Sequence, residues 1–326
     1  MLLKNKDASF ITHRNEDRTV YKNYLYQKTR VDQGCQLTVK LQTGGVAEAS
    51  LVTKMNEAKA LTPCEEIACV ISSSACPSLV VVIPPIITTD LIIHFEANDT
   101  SSYPGSGLTW FNIGTGGSAY NGTLSGTTKP VFVATAPKSF SFTRNQLNSP
   151  TDYLTYNYIS VPRPSTIGDD FTFCAWINTT GVGYGTNHYQ LMYIVSTETV
   201  NINNDFGFGI NNAGQLAYGD GKSGGSDITI NTTETVSTGS WLFVAVTRKK
   251  SNGDVNLYIN GVLKKNGTCN SGNTLSQAST MLIGSESDSI GFTFGGNMGA
   301  FLANTSVLTA DQILQNFNAQ KANYGL

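Results

Sequence analysis

The chain has 326 residues, of which 13% are Asp, Glu, Lys or Arg and 32 are Gly, a composition typical of a turn-rich β protein and not of a helical one. The formal charge of −2 is unevenly distributed, because the first sixty residues carry ten Lys or Arg against six Asp or Glu. That excess of four positive charges, spread over sixty residues, is too weak to predict nucleic-acid binding.

Residues 1–62 are predicted to form a leader that binds partner proteins. Apolar residues recur loosely at three- and four-residue intervals between 5 and 30, which predicts a helix, and residues 36–41 predict a short strand. Two such elements bury too little surface to be stable alone, so we expect neighbouring subunits to cover them, although folding back onto the rest of the chain is the alternative. The side chains expected to make these contacts are Phe10, Arg14, Arg18, Tyr21, Tyr24, Tyr26 and Arg30.

The start of the leader and the linker that follows it predict neither secretion nor a membrane span. The opening MLLKNKDASF becomes charged before an apolar core accumulates, so we expect no signal peptide and synthesis in the cytoplasm. Residues 63–89 read as a linker rich in Pro, Ser and Cys. Its apolar run LVVVIPPII, at 79–87, is too short to cross a bilayer and contains Pro84 and Pro85.

The cysteine spacing leaves three interpretations open. Cys64, Cys69 and Cys76 follow a C-x4-C-x6-C pattern, which lacks the paired C-x2-C spacing of common zinc sites. A local disulfide would need an oxidising compartment. Free thiols are therefore favoured over a disulfide and a metal site.

From residue 90 onward, short β-runs recur every ten to fifteen residues. NAG, SNGD and ING mark turns between them, and many of the runs alternate apolar with polar residues. The predicted strands are 90–97, 138–144, 152–161, 170–179, 189–197, 205–211, 215–220, 240–249, 254–265, 280–286 and 296–305. This pattern predicts an all-β fold, an antiparallel β-sandwich of two sheets.

One helix is predicted at the C-terminal end, in LTADQILQNFNAQ. Thr309 and Gln312 have the spacing of a capping box, and Ile313, Leu314 and Phe317 supply the stripe expected to be buried.

Six ordered motifs carry a resemblance that covers residues 90–326. They are SYPGSGLTW, NGTL, SFSF with DYL, FTFCAWI, SWLFVAVTRKKSNGDVNLYINGVL and FGGNMGAFLANTSVLTADQILQNFNA. Their order resembles the laminin-G-like, concanavalin A-like jelly roll of phage and large-virus structural proteins and of many adhesins. In that family the first motif is a loop crossing the sandwich edge, and Trp110 would dock it. Tyr103 and Trp110 are therefore expected chiefly to pack, with a ligand-binding loop as the alternative.

The resemblance also implies a candidate calcium site at the sandwich rim, whereas no other cofactor is expected. The candidate ligands are Asp99, Asp205, Asp220 and Asp227. Against calcium, Asn112 stands where the related loop usually has Asp.

The sequence predicts no catalysis. Paired glycosidase carboxylates are best matched by Glu286 and Asp288, but Gly291 occupies the third position, and the turn-prone surroundings predict a solvated loop. His13, His94 and His188 lie far apart in sequence, and none lies beside a candidate nucleophile or a metal-ligand cluster, so all three are expected to be structural or surface residues.

These observations favour a non-enzymatic structural protein of a virus particle, such as a minor capsid, cement or decoration protein. Residues 7–35 resemble the leaders of particle-associated proteins of large DNA viruses, so the expected location is the virion and the expected partners are capsid or other virion proteins. The alternative is a lectin-like adhesion module that binds a glycan or a host surface. The predicted domains are a leader at 1–62, a linker at 63–89 and a jelly roll at 90–326.

Overall fold

The computed structural model describes residues 83–144, 156–198, 204–222, 225–276, 278–286 and 292–326. The predicted helix at 5–30, the predicted strand at 36–41 and the cysteines at 64, 69 and 76 lie outside the described residues. The partner-binding residues predicted in the leader also lie outside them, namely Phe10, Arg14, Arg18, Tyr21, Tyr24, Tyr26 and Arg30.

The described residues form two antiparallel sheets that face each other as a sandwich, as the sequence predicts. The first sheet has the order β14-β13-β12-β7-β16-β5-β4, and β1 also pairs with β16. Its strands are β1 (Leu91–Glu96), β4 (Val131–Val133), β5 (Ser139–Phe142), β7 (Phe171–Asn178), β12 (Trp241–Arg248), β13 (Asp254–Ile259), β14 (Val262–Thr268) and β16 (Gly296–Asn304).

The second sheet has the order β11-β10-β9-β8-β15-β6-β3-β2. Its strands are β2 (Thr109–Trp110), β3 (Gly122–Gly126), β6 (Asn157–Pro162), β8 (Met192–Ser196), β9 (Phe206–Ile210), β10 (Gln215–Asp220), β11 (Ile228–Thr235) and β15 (Thr280–Ile283). Short 3-10 helices lie at Gly117–Tyr120, His188–Gln190 and Lys321–Tyr324.

Strand β7 is buried on both of its faces, which explains its continuous apolar sequence FTFCAWI. Phe171 and Phe173 point into the core between the sheets, where Phe173 packs against Phe206 of β9 at 5.5 Å. Cys174 and Trp176 point to the opposite face and belong to a second core. A strand covered on both sides loses the apolar–polar alternation of a half-exposed strand.

The second core lies between the first sheet and a C-terminal helix, α1 (Ala310–Gln320). The predicted capping box is confirmed, because the Thr309 side chain accepts from the Gln312 backbone and the Gln312 side chain accepts from the Thr309 backbone. The predicted stripe is corrected in part. Ile313 is buried as expected, but Leu314 and Phe317 are only partly buried, and Asn316 and Gln320 are the other buried residues.

The buried polar side chains of α1 are retained because the core beneath them is itself polar in places. Gln320 accepts a hydrogen bond from the Trp176 indole at 3.1 Å and donates to the Glu96 carboxylate at 3.0 Å. The Tyr324 hydroxyl donates to the same carboxylate at 3.2 Å, and its ring stacks on Trp176 at 4.1 Å. Burial raises the pKa of Glu96 above its usual value.

Candidate functional site

An open polar cleft lies at one end of the first sheet. It encloses about 530 Å³, and its lining residues are Thr166, Asp169, Asp170, Lys250, Ser251, Gly272 and Thr305. Strands β12, β7 and β16 are neighbours, and the start of β7 lies beside the ends of the other two. Segments distant in sequence meet at this end because antiparallel strands bring their loops together.

Charged and hydroxyl groups of the polar cleft are tied to one another. The Lys250 ammonium lies 2.9 Å from an Asp169 carboxylate oxygen and donates to the Thr274 hydroxyl at 2.7 Å. The Thr274 hydroxyl donates to the same Asp169 oxygen at 2.6 Å, which, with Lys250, lowers the pKa of Asp169. The Lys250 backbone N–H donates to Asp170 at 2.8 Å. The cleft therefore presents hydrogen-bond acceptors and one ammonium group, all held by contacts with one another.

A fully buried arginine holds the loops around the polar cleft. Arg248, at the end of β12, pairs with Asp220 at 3.0 Å, and both side chains are inaccessible to solvent. Asn270 donates to the other oxygen of Asp220 through its backbone and side chain, each at 3.0 Å. The Arg248 guanidinium also donates to the carbonyl oxygens of Gly168, Asp169, Asn270 and Asn273. The five donors of a guanidinium thus fix two separate loops that line the cleft.

Tyr103 and Trp110, the candidate ligand loop, lie in the core. Trp110 is inaccessible to solvent and stacks on Phe95 at 5.0 Å, and Tyr103 packs edge-on against Phe140 at 4.8 Å. The Tyr103 hydroxyl donates to the backbone carbonyl of Gly107. Both aromatics therefore anchor the loop, and neither ring is presented to a ligand at the surface.

The four candidate calcium ligands do not form one site. Asp220 is occupied by Arg248, whose charge replaces the one a cation would supply. Asp99 instead accepts from the Ser101 hydroxyl and backbone, and the hydroxyl bond is the main cause of its lowered pKa. Asp205 and Asp227 do approach each other, across Gly221. The residues present therefore do not fit calcium bound by all four aspartates.

The expectation that His188 lies away from metal-ligand clusters is wrong. Its imidazole meets Glu198 and Asp205, and this group of three is the one set of metal-ligand side chains that converges within the described part of the chain. Burial by itself would lower the pKa of His188, but hydrogen bonds and charges from Asp205 and Glu198 outweigh it and raise the pKa to about 9. Sequence spacing offered no signal, since His188 precedes β8 whereas Glu198 and Asp205 lie between β8 and β9.

Glu286 differs from its expected solvated position, because it is buried. It lies shortly after β15, whereas Asp288 lies outside the described residues. The described part of the chain contains no helix that is both long and apolar enough to span a membrane.

The fold defines a class of protein, the antiparallel β-sandwiches of two sheets. Residues 154–314 match the family model described as Concanavalin A-like lectin/glucanases superfamily, of the laminin G type. No curated protein matches the sequence.

Several solved structures share the fold. The binding domain of botulinum neurotoxin DC in complex with SialylT is 15% identical, with a TM-score of 0.50, and the match covers 72% of this chain and 52% of that chain. The same domain in complex with rat synaptotagmin II is 16% identical, with the same TM-score and coverage. The binding domain of Paraclostridial Mosquitocidal Protein 1 is 16% identical, with a TM-score of 0.51, and the match covers 71% and 52%. The chain thus spans about half the length of these structures, and the likeness concerns the fold.

Proposed function

We propose that the sandwich is a lectin-like binding module that takes a carbohydrate of a glycosylated surface into the polar cleft. The observation that carries the proposal is the cleft itself, in which carboxylates, hydroxyls and an ammonium are held at an open rim by the buried Arg248. Sugars offer many hydroxyl groups, and such groups are recognised by convergent, pre-positioned polar side chains. Similarity to binding domains of toxins supports the same class of function.

The proposed activity is binding without bond cleavage. A glycoside hydrolase needs a carboxylic acid whose pKa is raised so that it donates a proton at neutral pH. In the polar cleft the pKa of Asp169 is lowered, by the Thr274 hydroxyl and by Lys250, so this carboxylate is kept ionised. An ionised, hydrogen-bonded carboxylate suits acceptance of sugar hydroxyls.

A role at a virus particle stays a prediction of the sequence. It depends on contacts of the leader at residues 1–62, which lie outside the described residues. Nothing in the described strands and loops favours that role over ligand binding, and the two roles are compatible in one chain.

A glycan array on the purified full-length chain tests the proposal, with affinities of positive glycans then measured by calorimetry. We expect saturable binding that weakens about tenfold in Lys250→Gln, since losing one charge-assisted hydrogen bond corresponds to about 1.4 kcal/mol or more. The fold should persist, because exposed ion pairs contribute at most about 1 kcal/mol.

The chain supplies a matched control in a second exposed ion pair. Lys264 lies 3.1 Å from Glu234 with a side chain 29% exposed, against 32% for Lys250, but it does not line the polar cleft. Lys264→Gln should therefore bind as the wild type does. Equal weakening in both variants, or a folded wild type that binds no glycan on the array, would overturn the proposal.

A further inference from the structure

A second cluster of polar side chains lies at one end of the other sheet. His188 is in the 3-10 helix that precedes β8, Glu198 follows β8, and Asp205 directly precedes β9. Strands β8 and β9 pair as Ser196 with Gly207, so the end of one strand and the start of the next bring these residues together.

The three side chains are held in place and are buried. His188 is 1% exposed, Glu198 7% and Asp205 1%. The His188 backbone N–H donates to the Thr229 hydroxyl at 2.8 Å, and its carbonyl accepts from the Tyr193 hydroxyl at 2.8 Å. The His188 imidazole is therefore positioned by a backbone whose N–H and carbonyl are both hydrogen-bonded.

The spacing of the ligand atoms is close to that of a four-coordinate metal site. The His188 Nε2 atom lies 2.9 Å from a Glu198 carboxylate oxygen and 4.0 Å from an Asp205 carboxylate oxygen. One ligand atom from each residue lies within 4.8 Å of the others. Metal–ligand bonds of about 2.0–2.1 Å in tetrahedral geometry place neighbouring ligand atoms about 3.3 Å apart. Shifts of less than about 1 Å would accommodate an ion between these atoms.

A fourth oxygen ligand, from Asp227, lies near the cluster beside Gly221. A Cβ atom on Gly221 would lie 2.8 Å from an Asp205 oxygen and 3.1 Å from an Asp227 oxygen, so both carboxylates face one small space that the missing side chain leaves open. Asp227 is exposed, immediately before β11, and its charge acts on Glu198.

We propose that His188, Glu198 and Asp205, with Asp227 as a fourth ligand, bind a divalent transition-metal ion of the zinc class. One imidazole with carboxylates favours such an ion over calcium, which prefers six to eight oxygen ligands. The His188 Nδ1 atom has no hydrogen-bond partner among the described residues. Because such a partner typically strengthens metal binding about 10- to 100-fold, the expected affinity is correspondingly modest.

Metal titration of the chelator-treated full-length chain tests the proposal, with Co²⁺ followed by visible absorption and Zn²⁺ by calorimetry and elemental analysis. We expect His188→Gln to take up one Zn²⁺ equivalent fewer than the wild type and to lose the Co²⁺ band of a nitrogen- and oxygen-ligated site. Cysteine-bound metal elsewhere in the chain is distinguished by its thiolate absorption and is retained in this variant.

Two further variants keep the test decisive if His188→Gln folds poorly. Asp227→Asn changes an exposed residue and should weaken Zn²⁺ binding about tenfold while the protein stays folded. His94→Gln changes a partly buried histidine outside the cluster and should bind as the wild type does. Unchanged Zn²⁺ stoichiometry and affinity in both cluster variants would overturn the proposal, and so would tighter binding of Ca²⁺ than of Zn²⁺ at this site.

Discussion

Single amide side chains decide much of the loop that crosses the sandwich edge. Asn112 is buried, and its amide group donates to the carbonyls of Ile92 and Gly117 while its oxygen accepts from the His94 and Gly114 backbone. An aspartate at this position would supply the acceptor but neither donor. The structure therefore gives a physical reason for Asn where related loops were expected to carry Asp.

Asn112→Asp should lower the free energy of unfolding by roughly 2–4 kcal/mol, because two partly buried carbonyls lose their donor and a carboxylate is placed at a buried position. Urea denaturation monitored by tryptophan fluorescence measures the change. Asn121→Asp is the matched control, since the Asn121 side chain acts as an acceptor for the Asn112 backbone. Equal destabilisation by the two substitutions would contradict this account.

At the scale of elements, α1 is held on the first sheet by a chain of buried hydrogen bonds, called the polar relay, which joins Trp176, Gln320 and Glu96 inside an apolar core. Gln320 accepts from the Trp176 indole and donates to Glu96, and the Tyr324 hydroxyl donates to the same carboxylate. The sequence pattern predicted this helix and its cap correctly, but a stripe drawn from apolar residues alone missed Asn316 and Gln320. Their burial depends on partners contributed by β1, β7 and the segment before β1.

Gln320→Ala should destabilise the protein by roughly 2–4 kcal/mol, because it leaves both the indole N–H and one carboxylate oxygen without a partner in a buried site. Gln315→Ala is the matched control, because it makes the same change on the same helix. The Gln315 side chain donates to the Pro85 carbonyl in a hydrogen bond that is exposed to solvent. We expect that control to stay within about 1 kcal/mol of the wild type in chemical denaturation. A similar loss from both variants would mean that the relay contributes nothing beyond helix propensity.

For the whole molecule, stability should depend on pH through a histidine whose charged form the fold disfavours. Burial lowers the pKa of His94 to about 4, while the charge of Asp99 acts weakly in the opposite direction. In the unfolded chain, His94 binds a proton below its ordinary pKa of about 6.5. In the folded chain, His94 binds that proton only near pH 4. The contribution of neutral His94 to stability is therefore fully present above pH 6.5 and is lost as the pH falls from 6.5 to 4.

The corresponding prediction compares wild type with His94→Gln across that range. The difference in unfolding free energy between them should change by up to roughly 3 kcal/mol from pH 7 to pH 4, as an upper bound. His188, whose pKa is raised, titrates above this window and contributes equally to both proteins. Parallel pH profiles for the two proteins would show that His94 is not the group responsible.

The sequence alone determined the fold class, because short apolar runs separated by turn residues leave a two-sheet sandwich as the way to bury them. It predicted eleven strands, among them one over 254–265 that the structure divides at its ING turn into β13 and β14. It did not predict β2, β3, β4 or β11, which are short or polar and owe their strand conformation to pairing with a neighbour.

Only the tertiary structure decided which polar residues meet. Arg248 and Asp220, or His188 and Asp205, give no local signal, because hydrophobic periodicity reports which face of a strand is buried and not which loops converge at its end. The convergence depends on the order of strands within each sheet. That order is a property of the whole packed chain, and it alone placed the polar cleft and the histidine–carboxylate cluster.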